Sequence, residues 1–129
     1  MDQGEGWAER QFGEAELGDK RRTKRLVAMG DKIARQAGQS LPKQFGGQGS
    51  ALTAAYRFFG NEAIAPADVQ SAHRQAVAAT CREHPLILCV QDTSELDFTG
   101  RKAKGLGKIG DGRGQGLEQH SALAVVPGQ

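Results

Sequence analysis

Hydrophobic and polar positions recur with a helical period through the first 80 or so residues of the chain. This period predicts a short helix over residues 5–15 and a long helix over 20–37. Asp19 is suited to cap the start of the long helix, and Gly38 is suited to end it. The first part of the chain is therefore predicted to be a small helical bundle.

A third helix is predicted from Ser50, as its cap, to Phe59, after a glycine-rich loop over 40–50. Its aromatic side chains are interpreted mainly as core, with Arg57 among them directed toward water or an anion; they are Tyr56, Phe58 and Phe59. Pro66 suits the first turn of a fourth helix over 66–83. His73 on that helix is interpreted as a packing histidine.

The pattern changes after Pro85, where the run "LILCVQ" over 86–91 predicts a strand buried on both faces. Asp92 would then stand at the strand end, where two interpretations remain open: a carboxylate that caps a turn, or a metal ligand. A basic, glycine-rich loop follows, and "HSALAVV" over 120–126 predicts a second strand. The helical bundle is thus followed by the beginning of a sheet.

The long helix segregates its charges. On a helical wheel, five cations fall within an arc of about 100°, and an apolar stripe occupies the opposite side; the cations are Arg21, Lys24, Arg25, Lys32 and Arg35. Asp31 lies only at the edge of this arc. A solvated helix face is one explanation, but such faces usually mix signs, and like charges so close repel one another. A phosphate backbone would compensate for that repulsion.

Composition narrows the classes of function. The chain has 129 residues and a net charge of +2, and its basic residues concentrate over 20–35 and 101–113, which suggests contact with a polyanion. Cys81 and Cys89 form no CxxC pair, so a zinc site is not expected. No run approaches the roughly 20 apolar residues of a membrane span, and no leader is evident at the amino terminus. A cytoplasmic protein without membrane contact is expected.

Several catalytic motifs fail on their spacing. The glycines of "GLGKIG" over 105–110 lie about 14 residues beyond the predicted strand, whereas a dinucleotide site needs them directly after it. Ser94, His120 and Asp92 provide the residue types of a hydrolase triad but lack a nucleophile elbow. No EF-hand spacing is present.

Four segments, in order, resemble the Tn-five (IS-four type) family of bacterial cut-and-paste transposases. The first, "LGDKRRTKRL", matches at Leu17, Gly18, Asp19, Arg21, Arg22, Thr23, Arg25 and Leu26. The second, "AYRFFGN", matches at Ala55, Tyr56, Arg57, Phe58 and Asn61. The third, "LCVQDTSELDFT", resembles the strand that delivers the first acid of the family's Asp-Asp-Glu triad, and the fourth, over 105–126, resembles the loop and strand beyond.

The resemblance implies a mainly α fold. Residues 1–63 would form a helical DNA-binding domain, and residues 64–129 a helix and the first strands of an incomplete RNase H-like α/β domain. Double-stranded DNA at transposon ends would be the partner, in the bacterial nucleoid. The DNA-binding residues expected from the resemblance and the charged helix together are Arg21, Arg22, Lys24, Arg25, Lys32, Arg35, Tyr56 and Arg57.

By the same resemblance, Asp92 would be a catalytic residue and a ligand of Mg²⁺ or Mn²⁺ in a two-metal site for phosphoryl transfer. The second Asp and the Glu of the triad have no counterpart in these residues, so the chain is expected to be a truncated transposase, inactive alone, that binds metal weakly. Two alternatives remain open: a small metal-dependent nuclease, and a regulator that pairs with a full-length transposase or occupies its DNA ends.

Overall fold

The computed structural model describes residues 6–47 and 49–128. Within them the helices are α1 (Trp7–Phe12), α2 (Lys20–Arg35), α3 (Leu41–Gln44), α4 (Ser50–Phe59) and α5 (Pro66–Cys81). The strands are β1 (Leu88–Asp97), β2 (Gly107–Ile109) and β3 (Gly114–Val125). The chain divides into two compact units, Met1–Thr80 and Cys81–Gln129.

Helix α2 is the centre of the first unit, the helical unit. Its predicted apolar stripe is confirmed, since Leu26 and Met29 are buried and Ile33 packs against the same core. The predicted cap is also confirmed, because the Asp19 side chain accepts a hydrogen bond from the backbone N–H of Arg21 at 2.8 Å. The helix ends at Arg35, two residues before the predicted end, and Gly38 follows with φ +82°.

Only one of the three aromatic residues of α4 is core. Phe58 is 9% exposed, whereas Tyr56 and Phe59 are 51% and 57% exposed. The interpretation of Tyr56 and Phe59 as core is therefore wrong. The two residues are three positions apart and share the outward side of the helix, while Ala55 and Phe58 share the inward side.

Helix α5 adds Val69 and Ala72 to the core of the helical unit. The interpretation of His73 as a packing residue is confirmed, because its ring stacks on Phe12 with centroids 5.9 Å apart. Its Nδ1 also lies 2.7 Å from Oε1 of Gln11. Helix α3 lies within a segment that the sequence interpretation treated as loop.

The second unit, the sheet unit, is an antiparallel sheet in the order β1-β3-β2. Strand β1 runs from Leu88 to Asp97, well beyond the predicted end at residue 91, and pairs with β3 along its whole length. All ten of its residues are exposed, so the prediction of a strand buried on both faces is wrong. The apolar residues of β1 would be buried only if a second layer of secondary structure packed against the sheet.

Asp92 does not stand at a strand end. It lies in the middle of β1, opposite Ser121 of β3, so its predicted position beyond the strand is wrong. The polar residues after Asp92 simply continue the ladder. The basic loop contains β2, and the glycines of "GLGKIG" lead into a short hairpin rather than a helix. None of the helices among the described residues is long and apolar enough to cross a membrane.

Candidate nucleic-acid interface

A cleft between α2 and α4 brings four of the predicted DNA-binding residues together. Its volume is about 670 Å³, and its cationic border, called here the arginine cleft, consists of Arg21, Arg22, Arg25 and Arg57. Arg21 and Arg25 are one turn apart and share a side of α2. The two helices share one core through Leu26, Met29 and Phe58, and the four arginines line the cleft beside it.

The lining of the arginine cleft also contains polar residues that the sequence interpretation missed. Ser50 and Thr53 come from α4, and Asn61 follows it. Spacing at three or four residues places Ser50, Thr53 and Arg57 on one side of α4. This spacing is the feature of the sequence from which Ser50 and Thr53 could have been predicted as neighbours of Arg57. Hydroxyl and amide groups beside arginines are suited to contact phosphate and sugar oxygens.

Arg21 is held by Asp19 at the start of α2. Its Nη2 lies 2.8 Å from Oδ2 of Asp19, and its Nε lies 3.2 Å from the same oxygen. The side-chain and backbone hydrogen bonds from Arg21 lower the pKa of Asp19 to about 2. The side-chain hydrogen bond to Asp19 and the charge of its carboxylate raise the pKa of Arg21. The carboxylate is thus ionised at neutral pH and offsets the charge of Arg21 locally.

Arg22 is committed to the backbone. Its Nη1 donates a hydrogen bond of 2.9 Å to the carbonyl oxygen of Leu17. The neighbouring Thr23 donates through Oγ1 to the carbonyl oxygen of Ala15 at 2.8 Å. These two bonds fasten the segment before α2 to the helix itself. The structure therefore supports a positioning contribution from Arg22, while its direct contact with DNA stays a prediction.

Arg25 and Arg57 are the exposed cations of the arginine cleft that make no ion pair within residues 6–47 and 49–128. The absence of a carboxylate partner leaves their full charge for an external anion. Because long-range attraction of a polyanion depends on uncompensated charge, this geometry favours Arg25 and Arg57 among the predicted phosphate contacts of the arginine cleft.

The other predicted DNA-binding residues lie away from the arginine cleft. Lys24 borders a separate cleft of about 490 Å³, whose border also includes Glu9, Glu14 and Glu16. Lys32 places its Nζ 5.9 Å from the ring centroid of Phe45. Arg35 is exposed in the last turn of α2, and Tyr56 is half exposed on the outer side of α4. The five cations predicted to share one arc of α2 are therefore divided between different surfaces.

Asp92 lacks the surroundings of a metal ligand. Its Oδ1 accepts a hydrogen bond from the backbone N–H of Thr93 at 2.9 Å. No group of three His, Cys, Asp or Glu side chains in the described part of the chain could hold a metal ion. The residues present here do not fit a two-metal centre with Mg²⁺ or Mn²⁺, which requires several converging carboxylates.

His120 engages polar side chains on β1 instead. Its Nδ1 lies 2.8 Å from Oγ1 of Thr93, directly opposite in the ladder, and its Nε2 lies 2.9 Å from Oε1 of Gln91. Gln91 and Thr93 face the side of the sheet opposite to Asp92, since successive residues of a strand alternate. Asp92, Ser94 and His120 therefore do not assemble into a triad.

The helical region resembles a known class of domain. Helices α1 to α4 and every residue of the arginine cleft fall within the region that matches a family model. This match supports DNA binding in the context of a transposase. Residues 4–64 match the family described as Transposase DNA-binding.

Proposed function

We propose that the helical unit binds double-stranded DNA at transposon ends through the arginine cleft, as the end-binding domain of a Tn-five-type cut-and-paste transposase. The observation that carries this proposal is the convergence of Arg25 and Arg57, both without an ion-pair partner among the described residues, on one cleft within residues 4–64. DNA in the bacterial nucleoid would be the natural partner.

The physical basis is neutralisation of phosphates. A duplex carries a dense row of negative charge, and each cation that contacts it releases condensed counterions. Arg25 lies on α2 and Arg57 lies on α4, so two separate helices would contact the same DNA duplex. Ser50 and Thr53 also line the arginine cleft. The hydroxyl of Ser50 would donate to a phosphate oxygen without adding charge, whereas that of Thr53 donates to the backbone carbonyl oxygen of Gly49 at 3.2 Å.

The test is a titration of fluorescently labelled duplex DNA with the full 129-residue chain, followed by anisotropy at several salt concentrations. Arg25→Ala and Arg57→Ala should each weaken binding and reduce the slope of log K against log salt by about 0.9. Arg74→Ala is the matched control, because Arg74 is exposed on α5 and pairs with Gln70 rather than facing the arginine cleft. Equal slopes for all three variants would contradict the proposal.

The nuclease alternative has no observation in its favour, since among the described residues Asp92 belongs to no group of three His, Cys, Asp or Glu side chains that could hold a metal ion. A plasmid-nicking assay with Mg²⁺ or Mn²⁺ distinguishes it: nicking by the wild-type chain that Asp92→Asn abolishes would replace our proposal with a nuclease. A regulator of a full-length transposase would use the same DNA-binding surface, so that possibility is compatible with the proposal and is tested by co-purification.

A further inference from the structure

The contact between Asp19 and Arg21 occupies a defined edge of the guanidinium group. Nε and Nη2 of Arg21 face the two carboxylate oxygens, with Nε 3.3 Å from Oδ1 and 3.2 Å from Oδ2. Nη1 forms no hydrogen bond within residues 6–47 and 49–128. The Arg21 side chain is 91% exposed, so the end of the guanidinium, with Nη1 and the second hydrogen of Nη2, faces solvent.

This arrangement makes Arg21 a poor phosphate contact. A phosphate that approached the guanidinium would also approach the Asp19 carboxylate, and repulsion between the two anions would cancel much of the attraction. Arg21 and Asp19 together carry no net charge. Asp19 also lines the cleft that holds Arg25 and Arg57, but neither of these arginines is ion-paired with it or with another carboxylate in the described part of the chain. Their penalty is therefore smaller.

The same arrangement favours a neutral partner with two acceptors. A planar guanidinium donates two parallel hydrogen bonds from its free end, and a fixed orientation reduces the conformational entropy lost on binding. The major-groove edge of guanine presents such acceptors at O6 and N7, and paired bonds from arginine are the commonest specific contact with it. Guanine carries no charge, so Asp19 would not repel it.

The position of Arg21 fits this contact. It lies in the first turn of α2, and recognition helices commonly present residues near their amino-terminal end to base edges. The phosphate-contacting candidates flank it, since Arg25 lies one turn further along α2 and Arg57 lies on α4 across the cleft. Phosphate contacts fix the register of a protein on DNA, while base contacts supply sequence preference.

We propose that Arg21 reads a guanine in the major groove, and that Asp19 is the positioning residue that holds its guanidinium for this contact. This inference rests on the proposed DNA-binding function. It assigns different tasks to arginines of one cleft: Arg21 determines specificity, whereas Arg25 and Arg57 supply affinity.

The experiment selects bound duplexes from a randomised double-stranded DNA library, using the full chain and three variants. For the wild type, one position of the selected sequences should be guanine. Arg21→Ala should erase the preference at that position alone, with a loss of about tenfold or more in discrimination. Arg25→Ala should lower affinity for all sequences while leaving the preference intact, because it removes a phosphate contact.

Asp19→Asn tests the positioning residue directly. Asparagine caps a helix as well as aspartate does, so α2 should stay formed, as circular dichroism can verify. Without the carboxylate, Arg21 loses its ion pair, so its side chain is less fixed and its positive charge is no longer offset. The guanine preference should fall, while binding to unselected duplex should rise and its salt slope should increase by about 0.9.

Two results would overturn the inference while leaving DNA binding in place: selected sequences that Arg21→Ala leaves unchanged, or an Arg21→Ala variant that loses affinity uniformly with a lower salt slope. Either would make Arg21 a phosphate contact or a bystander. If the wild-type chain bound no member of the library, the proposed function and this inference would both be refuted.

Discussion

Arg22 and Leu17 are joined by a hydrogen bond of 2.9 Å from guanidinium Nη1 to the backbone carbonyl oxygen, across the turn that leads into α2. Leu17 is itself buried, with 4% of its surface exposed. The bond therefore holds a core residue and the start of α2 in one arrangement. It also means that an arginine within a cationic row of the sequence contributes to the fold.

Arg22→Ala should destabilise the helical unit by about 2 kcal/mol, since it removes a partly buried hydrogen bond from a charged donor. Thr23→Val should cost about 1 kcal/mol, because it deletes the hydroxyl bond to Ala15 and keeps the shape of the side chain. Urea unfolding followed by fluorescence of Trp7, the single tryptophan, measures both. Arg25→Ala is the control and should change stability by less than about 0.5 kcal/mol.

Acid should weaken the helical unit through Asp19. Its pKa is about 2 in the folded protein against an ordinary value of 3.8, so its contribution is complete above 3.8 and declines as the pH falls toward 2. The thermal unfolding midpoint reported by Trp7 should therefore drop across this window. In Asp19→Asn the drop should be smaller than in the wild type. A variant with the same pH profile as the wild type would contradict the pairing of Asp19 with Arg21.

A lowered pKa also occurs in the sheet unit, where hydrogen bonds from the side chain and backbone of Thr99 lower the pKa of Asp97. The sign of its effect is the same, with stability lost as the pH falls below the ordinary carboxyl range. Trp7 lies in α1, so its fluorescence reports the helical unit and separates the two effects.

Phe58→Ala should destabilise the helical unit by about 3–5 kcal/mol, because truncation leaves a cavity in the core. The adjacent Phe59→Ala should cost far less, since Phe59 is 57% exposed whereas Phe58 is 9% exposed. Both variants lose the same atoms, so the comparison isolates burial. Urea unfolding measures the two costs, and similar values would show that the assigned inner and outer sides of α4 are wrong.

Gly116→Ala should disrupt the pairing of β1 with β3. A Cβ at Gly116 would overlap the backbone carbonyl oxygen of Leu96, which is rigid within the ladder, and would also crowd Ile109. Gly107 is the matched control because it pairs directly with Gly116 and a Cβ there would meet open space. Hydrogen exchange of the β1 amides should accelerate in Gly116→Ala and stay near wild type in Gly107→Ala.

The position of α2 and its two sides could be predicted from the sequence, since the helical period, the cap at Asp19 and the segregated apolar stripe are all local. The division of the five α2 cations between different surfaces could not be predicted from the sequence. Lys32 lies near the ring of Phe45, and Lys24 borders a cleft with acidic residues, because the segments on either side of α2 fold back against it.

The sequence alone determined helices α1, α2, α4 and α5, though not the short α3. It also determined the apolar side of α2 and the concentration of positive charge on that helix, because each depends on neighbours within one or two helical turns. Tertiary structure decided which arginines share a cleft, that Arg22 bonds the backbone of Leu17 and that Asp92 lies in the middle of a long strand. These features depend on packing between helices and on pairing of distant strands, and a local period carries no information on either.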